Sequence, residues 1–189
     1  MSKNVENRKM SDVMIDIETL GKSSNAVILA LGAVFFDLDT GKLGEKFYEV
    51  IDLQSSLDVG LKVDGSTIIW WMEQSAASRA QFKVNAKKLP EVLEDFSIFL
   101  DKNSDLNKVK VWGNGVGFDN VILRNAYECF GRDVAPWNWW NDRCYRTIKS
   151  LPHGIDFGKL SGTAHKAVDD AIFQAENLME IYTKMKWLF

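Results

Sequence analysis

Cysteine is scarce: Cys129 and Cys144 are the only two, fourteen residues lie between them, and no second pair or histidine stands at zinc-ligand spacing. That excludes a zinc ribbon and a CxxC redox motif, and the expectation is reduced thiols in a cytosolic protein. Long apolar runs are also lacking. The longest, AVILALGAVFF at residues 26–36, has eleven residues, against about 20 needed to cross a bilayer. No membrane partner is therefore expected. The opening MSKNVENRKM is polar and without periodicity, so residues 1–10 read as a loosely held tail, and it has neither the apolar stretch nor the cleavage site of a signal peptide. No linker, internal repeat or low-complexity segment divides the rest, and residues 11–189 are expected to form one domain. An excess of positive charge is missing too. A formal net charge of −3 argues against gripping long duplex nucleic acid through a basic surface. It leaves room for a nucleic-acid enzyme whose carboxylates hold divalent metals, because the metals then supply the charge that phosphate requires.

The elements follow from periodicity and turn chemistry. Residues 12–17 are a short apolar run that predicts a buried strand. NAVILALGAVFFDLDTGKLGEKFYEVIDL predicts two strands joined in a hairpin at Asp39-Thr40-Gly41-Lys42. DGSTIIWWMEQS reads as a helix capped by Ser66 or Thr67, and LPEVLEDFSIFLDKN as an amphipathic helix starting at Pro90. KVKVWGNG returns to strand character and stops at glycines, GFDNVILRNAYECFG is a helix closed by Gly131, and a long helix covers about Ala164 to Trp187. The order predicts an α/β fold, a mixed sheet with its first three strands antiparallel, flanked by helices.

Chemistry concentrates in three places. Asp16 and Glu18 are two apart in the first strand, so they share a face. Two carboxylates on one face of an apolar strand repel and lose hydration unless a cation stands between them. The alternative is that the strand ends at Asp16 and Glu18 caps a loop. Asp119 opens a helix after a glycine-rich loop, where it is either a ligand or a carboxylate favoured by the helix dipole. His165 precedes Asp169 and Asp170 at the start of the last helix; the apolar side set by Ala167, Ala171, Ala175, Leu178 and Tyr182 lies slightly nearer Asp170.

Asp16-Ile17-Glu18-Thr19, Asp119 in Gly-Phe-Asp-Asn, and His165 five residues before Asp170 resemble the three motifs of the DEDD exonuclease superfamily in its histidine form. STIIWWMEQS and WNWWNDRCYRTI are similar to the phage exonuclease A and exonuclease VIII type of branch. The resemblance implies a ribonuclease-H-like fold and a 3′-to-5′ exonuclease that releases nucleoside 5′-monophosphates from single-stranded 3′ ends, DNA favoured. It implies four acids, Asp16, Glu18, Asp119 and Asp170, as metal ligands, with His165 as the base that takes a proton from water. Two Mg2+ or Mn2+ ions suit such an all-oxygen set. One would sit among Asp16, Glu18 and Asp170, and the second would be shared by Asp16 and the scissile phosphate. Thr19 and Leu20 are expected to contact the terminal nucleotide, Leu20 packing on its base. Many relatives are dimers, so a homodimer is one expectation, in the cytoplasm of a bacterial or phage-infected cell.

Two rivals remain: an exoribonuclease on RNA or oligoribonucleotides, and a catalytically silent nuclease fold that only binds. Trp70, Trp71, Trp137, Trp139 and Trp140 read first as core and subunit contacts, with one aromatic left to stack on a base. Arg143 and Arg146 could reach phosphates, but Arg146 stands four residues after Asp142, the spacing of an ordinary helix ion pair. His153 lacks a downstream acid and reads as a surface or supporting loop residue.

Overall fold

The computed structural model describes residues 10–83, 85–131, 135–151, 154–158 and 165–186. His153, most of the expected tail and both expected ends of the last helix fall outside them. The chain starts with strand β1 (Asp12–Thr19), then β2 (Ile28–Asp37) and β3 (Lys42–Val50). The turn between β2 and β3 is local chemistry: Asp37 accepts from the amides of Asp39 and Thr40, and Gly41 takes a φ of +68°. Helices α1 (Leu53–Asp58), α2 (Gly65–Glu73), α3 (Ala76–Ala80) and α4 (Leu89–Asn103) follow. Next come β4 (Lys110–Gly113), α5 (Asp119–Cys129), β5 (Asp142–Cys144), α6 (Tyr145–Lys149) and α7 (Ala167–Lys184).

The strands form one sheet in the order β3-β2-β1-β4-β5. β1 pairs antiparallel with β2, and β2 with β3, while β4 runs parallel to β1 and β5 parallel to β4. This is the mixed sheet expected from the element order. Its two faces carry separate cores. Val13, Ile15 and Ile17 of β1 pack with Val92 and Phe96 of α4 and Ile122 and Ala126 of α5. Met14 joins Val34, Phe36 and Trp112 against Ala171, Ala175 and Leu178 of α7 on the opposite face. Alternation along β1 therefore aims Asp16 and Glu18 at the α7 side.

Three local expectations are corrected. The cap of α2 is Asp64, whose carboxylate accepts from the amide of Ser66, so neither Ser66 nor Thr67 serves. The second hairpin strand stops at Val50, because Asp52 caps α1 and turns the chain away. The helical pair of Asp142 with Arg146 does not form. Asp142 lies in β5 and bonds Arg124 at 2.5 Å, while Asn120 and Trp137 donate to its other oxygen.

One glycine sets the distance between sheet and helix. Gly32 faces Asp16 in the β1–β2 register, and a Cβ there would collide with the backbone of Ala167 and Val168. Only a bare backbone lets the start of α7 lie directly on β2 beside Asp16. Among the described residues no helix is long and apolar enough to cross a membrane.

Candidate active site

β1 continues as a strand through Thr19, so Glu18 is a strand residue and not a loop cap. The ladder between β1 and β4 stops at Met14 and Trp112. Beyond that point the two chains diverge, and the gap is filled from β4's exit: residues 114–118 loop away and α5 begins with Asp119. Asp119 is buried at a helix N-terminus, where the dipole favours a negative side chain. On the other side, β2 slips register opposite Glu18 and Thr19, a bulge at the edge of the site.

The five residues singled out from sequence converge. Asp16, Glu18, Asp119, His165 and Asp170 line one open cavity of about 260 Å³, together with Asn114, Phe118, Arg146 and Gln174. Carboxylate oxygens of Asp16, Glu18 and Asp170 come within 4.8 Å of one another. Asp170 reaches the cavity from the first turn of α7, whereas Asp169 turns to Lys166, 3.8 Å away.

The electrostatics show what the arrangement costs. Burial holds Asp16 well above the ordinary carboxylate range, and the charges of Asp119, Glu18 and Asp170 push it further, against a hydrogen bond from Gln174. Glu18 is pushed up to about 8 by burial and then by Asp170 and Asp119. Asp119 is raised to about 7 by burial, although backbone amides and the Arg146 guanidinium pull the other way. Burial also raises Asp170, which the nearby His165 partly offsets. Four carboxylates that resist ionisation together are stabilised by a hard cation with oxygen ligands, so the donor set fits a divalent metal.

His165 has a left-handed backbone, φ +62°, and its carbonyl accepts a hydrogen bond from Gln81. Its ring stands edge-on to Trp70, 5.0 Å between centroids, and to Trp71 at 6.0 Å. Those tryptophans open a second cavity, about 430 Å³, that shares Ile17, Glu18 and Phe118 with the first. Thr19 lines it; Leu20 does not, and packs against the core under β1. Trp71 is buried with its indole donating to the Thr19 carbonyl, leaving Trp70 as the more open ring. Of the remaining tryptophans, Trp137 is in the core, and Trp139 and Trp140 are exposed beside Leu106 and Asn107, which precede β4. They therefore sit at the opposite end of the parallel strands from the acids.

Sequence reasoning missed Gln174 and misassigned Arg146. Gln174 falls on the Ala167-Ala171-Ala175-Leu178 side of α7, a polar residue in an apolar stripe four residues after Asp170, and that was the available signal.

A profile of the family described as "3'-5' exoribonuclease Rv2179c-like domain" matches residues 11–182. An exodeoxyribonuclease of Enterobacteria phage T4 is 25% identical over 162 residues, covering 73% of this chain and 70% of its own. Among solved structures, E. coli exonuclease I in complex with a dT13 oligonucleotide superposes with a TM-score of 0.69 at 15% identity over 95% of this chain. The match spans only 42% of exonuclease I. The nuclease domain of 3'hExo, a DEDDh family member bound to rAMP, gives a TM-score of 0.60 at 12% identity, covering 95% of this chain and 96% of that one. These two likenesses show the fold, a ribonuclease-H-like mixed sheet flanked by helices.

Proposed function

Because the chain belongs to the 3'-5' exoribonuclease Rv2179c-like domain family and is a 3′-to-5′ exonuclease, we propose that it removes nucleotides one at a time from single-stranded DNA, as 5′-monophosphates. The convergence of four acids and a histidine in one cavity beside an aromatic pocket carries this reading. Asp16, Glu18, Asp119 and Asp170 would hold two Mg2+ or Mn2+ ions, Asp16 being shared. When bound, such ions polarise the attacking water and neutralise charge on the leaving oxygen.

The side chains do the rest. His165 takes the proton from the water as its oxygen bonds to phosphorus, and the bond from phosphorus to the 3′-oxygen of the shortened strand breaks. That 3′-oxygen leaves with a proton from solvent, and the terminal nucleotide departs with the phosphate. Edge contacts from Trp70 and Trp71 hold the imidazole in place. The pocket formed by Thr19, Trp70 and Phe118 receives the terminal nucleoside, with Trp70 offering a face for the base; such stacking is worth about 1–3 kcal/mol per base.

DNA is favoured because the relative from phage T4 is an exodeoxyribonuclease, and the hydroxyls around this pocket have few hydrogens left to give. Thr19 donates to the Gly21 carbonyl, Ser66 to Asp64, and the Thr67 oxygen is shut off from solvent. Thr19 and Ser66 have thus committed their hydroxyl hydrogens and could meet a ribose 2′-hydroxyl only as acceptors. RNA is the second reading, supported by the family's description as exoribonucleases.

The test is incubation with matched 5′-labelled DNA and RNA single strands, with Mg2+, Mn2+ or a chelator. A metal-dependent ladder shrinking from the 3′ end, faster on DNA, is expected. Internal cuts or metal-independent release would overturn the reading.

A further inference from the structure

Arg146 is the one lysine or arginine among the described residues lining the acid cavity, and the fold has freed it from the carboxylate that its sequence spacing suggests. Its Nε and Nη2 both donate to the carbonyl of Asn114, at 3.2 and 2.7 Å. A guanidinium carries five N–H donors, so this anchor leaves three uncommitted on an exposed side chain. The seat is built for it. Gly115 has a φ of +120°, a conformation that side chains rarely adopt, and a Cβ there would stand 3.4 Å from Arg146 Nε, in van der Waals contact. Arg146 also acts electrostatically on Asp119, favouring its ionised form.

A polyanion approaching four acids is repelled wherever metal does not offset them. A fixed, pre-oriented guanidinium at the rim provides planar, two-pronged recognition of phosphate oxygens. We propose that Arg146 is a substrate-binding residue that grips a non-bridging oxygen of the terminal phosphodiester. This rests on the nucleic-acid substrate proposed above. A purely structural role, pinning residues 114–118 to α6, would disturb Asp119 and hence metal binding, and would be indifferent to charge on the strand.

The experiment compares the wild type with Arg146→Met and Arg146→Lys. Binding of a labelled single-stranded oligonucleotide is read by fluorescence anisotropy in Ca2+, with strand length checked for cleavage, and Mn2+ affinity of the free protein is read by calorimetry. Arg146→Met is expected to weaken strand binding about tenfold, the scale of one charged phosphate contact. It should lower the salt slope by about 0.7 and change Mn2+ affinity by much less than it changes strand binding, with Arg146→Lys in between. A methylphosphonate at the terminal linkage should erase the difference between wild type and Arg146→Met, while one three linkages away should preserve it. Equal binding by both proteins, a difference that survives the terminal methylphosphonate, or weakening that follows lost Mn2+ affinity would each overturn the assignment. A wild type that cleaves normally in such a case refutes Arg146 alone; a wild type that cleaves no strand with Mg2+ or Mn2+ refutes the exonuclease reading itself.

Discussion

Gln174 donates its side-chain amide to Asp16 at 2.8 Å, from helix α7 to strand β1, one turn beyond Asp170 on the same helix. A single helix thus supplies one carboxylate of the cluster and fixes the orientation of another. The bond also favours the ionised form of Asp16, against burial and three neighbouring acids. Supporting contacts of this kind typically matter 10–100-fold in metal affinity. Gln174→Leu, similar in size and buried as the native residue is, should keep the fold by circular dichroism and lower Mn2+ affinity by roughly that factor. Unchanged calorimetric affinity would show the bond to be incidental.

Asp16 is the carboxylate proposed to be common to both ions. Asp16→Asn is expected to abolish divalent-dependent cleavage while leaving a folded protein, because the amide keeps the volume and removes the charge. Wild-type rates in a gel assay of this variant would place the site elsewhere.

His165 is proposed to take the water's proton without being needed for binding. His165→Ala should reduce kcat by about 100- to 10,000-fold, the usual worth of a positioned general base. Anisotropy and calorimetry should report strand and Mn2+ affinities close to wild type. A loss of affinity matching the loss of turnover would contradict the role.

The raised carboxylates predict how stability follows pH. Glu18 is near 8 and Asp119 near 7 when folded, above ordinary values of 4.5 and 3.8. The folded state therefore holds protons that the unfolded chain releases, so their contribution is fully present below about pH 4 and is lost as pH rises through 7 and 8. In thermal melts without metal, Glu18→Gln should gain stability over the wild type as pH goes from 5 to 8.5. Mg2+ should raise the wild-type Tm more at pH 8.5 than at pH 5. A constant difference between the two proteins across that range would refute the coupling.

Gly32 faces Asp16 and leaves no room for a side chain under the start of α7. Gly32→Ala is expected to destabilise the protein by about 1–3 kcal/mol through overpacking, measured by urea denaturation. It should weaken Mn2+ binding as well, since Asp170 rides on the displaced turn. Full stability together with full metal affinity would mean that the helix yields without cost.

The parts of this protein that were legible in its sequence are those decided within a few residues or one turn. The β2–β3 hairpin is closed by Asp37, its neighbours' amides and Gly41, and α4 follows from an apolar stripe behind Pro90. Helices α1, α3 and α6 and strand β5 escaped notice because segments of three to six residues are too short to show a period. The α2 cap was misread by two or three positions among adjacent polar residues, any of which could cap.

By itself the sequence determined which face of β1 carries Asp16 and Glu18, since strand alternation is a property of the backbone, and it marked Asp119, His165 and Asp170 at helix starts where charge and chain direction change. Only the tertiary structure decided that these groups share one cavity, that Asp142 turns to Arg124 and so frees Arg146, and that Gln174 braces Asp16. The reason is physical. Alternation and capping are local, whereas the meeting of side chains 158 residues apart depends on how closely α7 lies on the sheet, which is set by the space left open at Gly32.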